Sequence, residues 1–226
     1  MSQPIELEFS RKYDADHARQ YLEKHQHGLF RRLSHWRDLQ LARRALKDAG
    51  DPGLVLDLPC GAGRFWPMLA EKRNRVILAA DNSEHMLQIA CAAQPAEVVQ
   101  RVQTFQTSAF AIDLPDNAVD SLFCMRLLHH VGDTLDRAQM LREFHRVTRD
   151  SMILSLWVDG NYKAWKRRRL ERRRQARGEN EGYQNRFVVP RASIEREFVS
   201  AGFRIDRHYD FIPGYALWRV YLLRKV

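Results

Sequence analysis

A doubly wound, mostly parallel α/β sheet is the fold this sequence predicts, and three observations predict it. Short apolar runs alternate with helical patterns five times between residues 54 and 157. That is the pattern of right-handed strand–helix–strand crossovers covering both faces of a parallel sheet. The first run, Leu54 to Leu58, ends in the glycine-rich turn "PCGAG", the composition found where a backbone approaches a ligand closely. The last two runs, "FRIDRHYDF" and "ALWRVYLLRKV", are joined through Pro213-Gly214. A connection that short makes only an antiparallel hairpin, so the last strand is expected to be reversed.

Taken in order, residues 14–49 read as helix, rich in Arg, His and Leu, with a break near Gly28. After the first strand, "RFWPMLAEKR" reads as a helix, with Pro67 in the first turn, where its missing N–H costs nothing. "RVILAAD" is a second buried strand, and Ser83 caps the helix "SEHMLQIACAAQ", which stops before Pro95. "VQTFQTSAF" and "VDSLFCMR" are the third and fourth strands. "DRAQMLREFHRVTR" is amphipathic, with Met140, Leu141, Phe144 and Val147 on one face, and "SMILSLW" is the fifth strand. "PRASIEREFVSAGF" is the last helix, from Pro190 to Gly202, before the final two strands.

The chain of 226 residues suits one domain with appendages. No segment approaches the roughly 18 continuous apolar residues of a membrane span, and the charged N-terminus has no apolar signal core. The three cysteines are far apart and suggest neither a disulfide framework nor a metal site; Cys91 is expected in a helix core. A reduced cytoplasmic protein without a metal, not integral to a membrane, is the expectation.

The charge is concentrated. Net charge is +9, and Lys163 to Arg177, "KAWKRRRLERRRQAR", holds nine Lys/Arg against one Glu. Like charges repel along a helix, so a run of this kind suggests a polyanion that offsets the repulsion. Candidate contacts are Lys166, Arg167, Arg168, Arg169, Arg172 and Arg173, with Trp165 for stacking. RNA, a phosphorylated lipid or glycolipid at a membrane surface, and an acidic protein all remain open at this stage.

Gly61 and Gly63 lie between a strand end and a helix start, and Asp81 ends the next strand eighteen residues after Gly63. An acid there sits beside the first loop and can accept both hydroxyls of a ribose. A dinucleotide fingerprint needs a small residue three positions after the second glycine; here it is Trp66. No Lys-Ser/Thr follows for a phosphate loop. A nucleoside-containing cofactor of another kind is implied.

Together, "VLDLPCGAGRF", "LAADNSEHMLQIA", "TSAFAIDLPDNAVDSLFCMRLLHHV", "MLREFHRVTRDSMILSLW" and "IEREFVSAGFRI" resemble class I S-adenosylmethionine-dependent methyltransferases, in particular the ubiquinone-biosynthesis-like, type 11 subgroup. The resemblance covers about 50–158 and 188–226. It implies a Rossmann-like, seven-stranded sheet with a reversed last strand. The divisions it implies are an N-terminal helical cap (1–49), a cofactor-binding core (50–158), a basic substrate-side insert after the fifth strand (159–187) and the rest of the core (188–226). S-adenosylmethionine is the implied cofactor, with Asp57, Gly61 and Gly63 around its methionine end. Asp81, with Asn82 beside it, would take the ribose. Met86, Ser108, Ala109 and Phe110 would surround the adenine, and Tyr13 would close a lid. Ser108 departs from the usual Asp, Asn82 from an apolar residue, and "RVTRDSMI" lacks the usual Pro-Gly-Gly turn.

Methyl transfer needs a base only if the nucleophile has a proton to lose. His129 and His130, just past the fourth strand, are candidates, and otherwise serve in packing. Arg126 is expected to meet the methionine carboxylate, a substrate acid, or Asp120. The function expected is methylation of an anionic substrate held by the basic insert. The alternatives are a non-catalytic cofactor-binding subunit that tethers an anionic partner, or a methyltransferase of an acidic protein or small metabolite.

Overall fold

The structure, a computed structural model, describes residues 29–177 and 186–226. Its elements are α1 (Leu29–Asp48), β1 (Leu54–Asp57), α2 (Trp66–Leu69), β2 (Val76–Asp81), α3 (Glu84–Ala93), α4 (Ala96–Val99) and β3 (Val102–Gln106). There follow β4 (Val119–Cys124), a 3-10 turn (Leu128–His130), α5 (Thr134–Val147), β5 (Thr148–Trp157), α6 (Tyr162–Ala176), α7 (Arg191–Ser200), β6 (Phe203–Asp210) and β7 (Trp218–Lys225). Among the described residues no helix is long and apolar enough to cross a membrane.

The seven strands form one sheet in the order β3-β2-β1-β4-β5-β7-β6. Strands β1 to β5 pair in parallel, and β7 runs antiparallel to both β5 and β6. The reversed strand thus lies inside the sheet. Its burial explains why: the middle of β7 is buried without a break, whereas β6 alternates with exposed positions and takes the edge. Chain direction across the sheet switches between β1 and β4, and the crevice beyond the carboxyl ends of those strands is where such folds bind ligands.

Alternate residues of each strand serve opposite faces. Val55, Phe123, Ile153 and Leu222 pack with Leu41, Ala42, Ala45 and Leu46 of α1. Leu56, Leu122 and Leu154 pack with Met140, Leu141 and Phe144 of α5 and Ile194 and Phe198 of α7.

Several elements differ from their expected bounds, among them β5, which starts at Thr148 and not at Ser151. The helix of "RFWPMLAEKR" is a single turn, because arginine side chains take the carbonyls that a longer helix would use. Arg75 Nη1 donates to Leu69 O at 3.1 Å, and Arg101 Nη2 to Lys72 O at 2.8 Å. β3 ends at Gln106, where Thr107 Oγ1 turns the chain by donating to Ala111 O (3.2 Å) and accepting from Asp113 N (2.9 Å). α5 begins at Thr134, capped by Asp133, whose carboxylate accepts the N–H groups of Leu135 and Asp136. Cys91 is exposed, not in a helix core: α3 turns Met86, Leu87 and Ala90 inward and leaves position 91 on its outer side.

Candidate functional site

The glycine turn sits at the switch point. Gly61 has φ +53° and Gly63 φ +67°, the left-handed region that glycine enters without penalty. Among the described residues a methyl group on Gly61 would meet only Met86 Cε, at 3.9 Å, so this backbone can approach a ligand. A methyl group on Gly63 would lie 2.8 Å from the indole of Trp66. The fully buried Trp66 thus fills the space that a dinucleotide fold leaves for close packing of its helix.

Two acids face this turn. Asp81 accepts Gly61 N–H on Oδ2 and Ser83 N–H on Oδ1, each at 3.0 Å. Burial nevertheless raises its carboxyl above the usual range, with the two N–H groups pulling the other way. Asp57 is 1% exposed, and neither of its oxygens has a hydrogen-bond partner among the described residues. Burial, and then the charge of Asp81, push its carboxyl well up. The Trp66 indole N–H opposes this but falls short of hydrogen-bond geometry. A buried, unmet carboxyl is costly unless a donor arrives.

The rest of the expected cofactor set borders this turn or the ends of β2 and β3. Met86 is buried beneath Gly61. Asn82 is exposed, and its backbone carbonyl accepts the Gln106 amide at 2.9 Å. Ser108 Oγ accepts Phe110 N–H at 3.2 Å, shaping the turn that carries Ala109 and the buried Phe110. Tyr13 lies outside the described residues.

Arg126 follows β4 with φ +66°, a strained conformation for a residue with a side chain. Ser155 Oγ holds its N–H at 2.9 Å, and its guanidinium lies 4.5 Å from the Trp218 ring centre. Of the partners expected for Arg126, Asp120 is occupied elsewhere, by Leu54 N–H and Arg149. The acid that Arg126 meets is Asp38 of α1. Asp38 is buried and also accepts Arg64 Nη2, at 2.8 Å. One carboxylate thus ties the glycine turn to the end of β4. Sequence reasoning missed it, although a signal was present: Asp38 falls on the same helical stripe as Leu41, Ala42, Ala45 and Leu46.

His129 is 3% exposed, with ring centres of His130 at 4.0 Å, Trp218 at 4.6 Å and Trp157 at 5.2 Å. Burial, then the charges of His130, Arg186 and Arg126, lower its pKa to about 2. His130 is half-buried.

The basic stretch forms α6, and its cations divide. Arg167 turns inward, pairing with Glu171 (2.8 Å) and lying 5.4 Å from the Trp157 ring centre. Arg168 pairs with Asp159 at 2.9 Å. Lys166 is exposed. Arg169, Arg172 and Arg173, with Trp165 and Tyr162, line a groove of about 970 Å³ that reaches Gly214 in the β6–β7 turn. No group of His, Cys, Asp and Glu among the described residues is arranged to hold a metal.

The strand order, the reversed β7 and the glycine turn facing Asp81 define a class I, S-adenosylmethionine-dependent methyltransferase fold. Residues 55–151 match a family described as Methyltransferase domain. Among solved structures, magnesium protoporphyrin IX methyltransferase of Synechocystis PCC 6803, with bound SAH, superposes with a TM-score of 0.74 at 19% identity, over 96% of this chain and 99% of that one. A SAM dependent methyltransferase from Aquifex aeolicus gives 0.64 at 19% identity, over 95% and 100%. A curated relative, the tRNA U34 carboxymethyltransferase of Shewanella frigidimarina (strain NCIMB 400), is 28% identical over 117 residues. That match spans 49% of this chain and about a third (33%) of the relative.

Proposed function

We propose that this protein transfers a methyl group from S-adenosylmethionine to an anionic substrate held at the carboxyl edge of the sheet by α6. The observation that carries the cofactor half is the buried pair Asp57 and Asp81 around Gly61. Asp81 uses each oxygen once, for a backbone N–H, and a carboxylate oxygen has a further lone pair for a ribose hydroxyl. Asp57 has no donor among the described residues, and the ammonium group of the methionine end would supply one. These residues fit the cofactor that the family uses.

The cofactor brings a methyl group on an already activated sulfonium. The chain's own task is therefore orientation. Arg126, fixed by Asp38, Ser155 and Trp218, is placed to receive an anionic group of the cofactor or the acceptor. Burial makes His129 a poor base near neutral pH, since an effective base has a pKa close to the working pH. His130 is the better candidate if the acceptor must lose a proton.

Support for an anionic substrate comes from Arg169, Arg172 and Arg173 of the groove; Arg168, which also lines it, is paired with Asp159, and among the described residues no carboxylate lines the groove itself. The Shewanella relative is named for a tRNA, itself a polyanion. The test is to incubate the protein and methyl-labelled cofactor with fractionated cell extract. Label entering the RNA or lipid fraction is the expected result. Label in protein or neutral metabolites alone would sink the anionic-substrate half, and binding without turnover would leave a non-catalytic tether.

A further inference from the structure

We infer that the groove between α6 and the β6–β7 turn binds single-stranded RNA, with bases stacking on Tyr162, Trp165 and Tyr215 and phosphates on Arg169, Arg172 and Arg173. The inference rests on the proposed anionic substrate and narrows it to one class.

Aromatic exposure is the first observation. Tyr162, Trp165 and Tyr215 are 49%, 55% and 46% exposed, and they adjoin one another. Tyr162 stacks on Tyr215 with ring centres 5.7 Å apart and planes 11° apart. Trp165 lies 5.8 Å from Tyr162 at 31°. Two residues of α6 and one from the β6–β7 turn thus form a cluster of rings, with Tyr162 and Tyr215 stacked and Trp165 tilted against Tyr162. Aromatic platforms accept any base, because every base has a π-face.

Charge is the second. The groove's cations are all arginines, whose planar fork matches phosphate oxygens and stacks on rings; Arg169 already lies 5.5 Å from the Trp165 ring centre. Lys163 and Lys166 do not line the groove, although Lys163 Nζ lies 5.1 Å from the Tyr215 ring centre. Arg167, the inward cation, is engaged with Glu171 and Trp157, and Arg168, which lines the groove, with Asp159, so the phosphate contacts are assigned to Arg169, Arg172 and Arg173. Fifteen residues of helix run about 22 Å, long enough for several nucleotides.

Shape separates RNA from a membrane. An interfacial helix presents a continuous apolar face of Trp, Phe and Leu to the acyl chains with its cations on the opposite side. Here Tyr162, Trp165 and the arginines share one concavity, the only aliphatic side chain lining it among the described residues is Ala176, and Leu170 lies outside it. Location then links the groove to chemistry. Tyr215 stands three residues before Trp218, the ring beneath Arg126, so a strand in the groove is brought to the acceptor side of the site.

The experiment compares four probes by fluorescence titration at several salt concentrations: a short mixed-sequence single-stranded RNA, an abasic ribose-phosphate strand of equal length, heparin, and anionic phospholipid vesicles. The RNA should bind more tightly than the abasic strand and quench tryptophan fluorescence. Trp165→Ala should weaken RNA binding roughly 5- to 150-fold, the equivalent of one lost base stack. It should leave the abasic strand unaffected, and Trp165→Phe should restore most of the loss. Replacing Arg169, Arg172 and Arg173 with Gln should weaken both strands and reduce the salt slope by about 2. Equal binding of RNA and abasic strand, or indifference to Trp165→Ala, overturns the proposal in favour of bare charge. Trp165-dependent binding to vesicles without any base effect overturns it in favour of a membrane. Calorimetry with S-adenosylhomocysteine, run on every variant, checks folding and keeps the questions apart. Intact nucleoside binding without RNA binding sinks only the groove, whereas RNA binding without nucleoside binding sinks the methyltransferase reading.

Discussion

Asp57 and Asp81 carry the sharpest consequences of burial. If an ammonium group meets Asp57 in the complex, its raised carboxyl must ionise as the ligand binds. The complex then holds fewer protons than the free protein, so affinity for S-adenosylhomocysteine should rise with pH below the free-protein pKa. The binding enthalpy should also differ between phosphate and Tris buffers at one pH, and Asp57→Asn should abolish the difference. A buffer-independent enthalpy in the wild type would remove Asp57 from the methionine end. Asp81→Ala should weaken the same ligand by about 1.5–3 kcal/mol, the range for hydrogen bonds to a charged group. Unchanged affinity in a folded variant would defeat the ribose assignment. His129 reports through stability instead. Its pKa is about 2 in the fold against about 6.5 in an unfolded chain. The unfolded chain therefore takes up the extra proton, and stability is complete above about pH 6.5 and falls as pH drops, by about 1.4 kcal/mol per unit. The difference between wild type and His129→Gln in denaturant melts should shrink by about 2 kcal/mol from pH 6.5 to pH 5. Asp57 and Asp81, with raised pKa values, act in the opposite sense, and comparing the two proteins cancels them.

Among the elements, α5 and α7 are joined by one buried ion pair. Arg137 donates to both oxygens of Glu197 at 2.8 Å, and also to Val131 O, Gly132 O and Thr134 Oγ1. Those carbonyls belong to the chain leaving the 3-10 turn of His129 and His130, so the pair fixes that turn as well as two helices. Arg137→Ala leaves Glu197 buried without its partner, and the expected loss is about 3–5 kcal/mol. Equilibrium unfolding in urea measures it, and a loss under about 1 kcal/mol, the level of an exposed pair, would contradict the arrangement. α1 is held differently, by the apolar stripe ending at Ala49 and by Asp38 within that stripe.

For the molecule as a whole, charge is segregated by depth. The acids at the glycine turn are buried, whereas most cations of α6 stand in solvent, where salt screens them over a Debye length of about 10 Å at 0.1 M. Substrate affinity should therefore fall steeply as salt rises while affinity for S-adenosylhomocysteine barely moves. Titration of both ligands across the same salt series checks this, once the extract experiment has supplied the substrate. A parallel decline of both affinities would place them on one charged surface and refute the division. The inward turn of Arg167 adds that its replacement should cost packing against Trp157, so a clean charge variant leaves it in place.

The sequence by itself determined the strand and helix order, the reversed hairpin, the glycine turn and Asp81, because those rest on local signals: apolar periodicity, glycine, proline and capping residues act within a few positions. It also determined that α6 is basic. Only the tertiary structure decided which cations of α6 face inward, since Arg167 and Arg173 look alike in a run of arginines until Trp157, Glu171 and the β6–β7 turn are placed. It likewise decided that Arg126 pairs with Asp38 rather than Asp120, and that Tyr215 joins Tyr162 and Trp165. Those contacts join residues 53 or more positions apart except for Tyr162 and Trp165 themselves. Pairing over such distances follows from sheet order and helix docking, which no local pattern encodes.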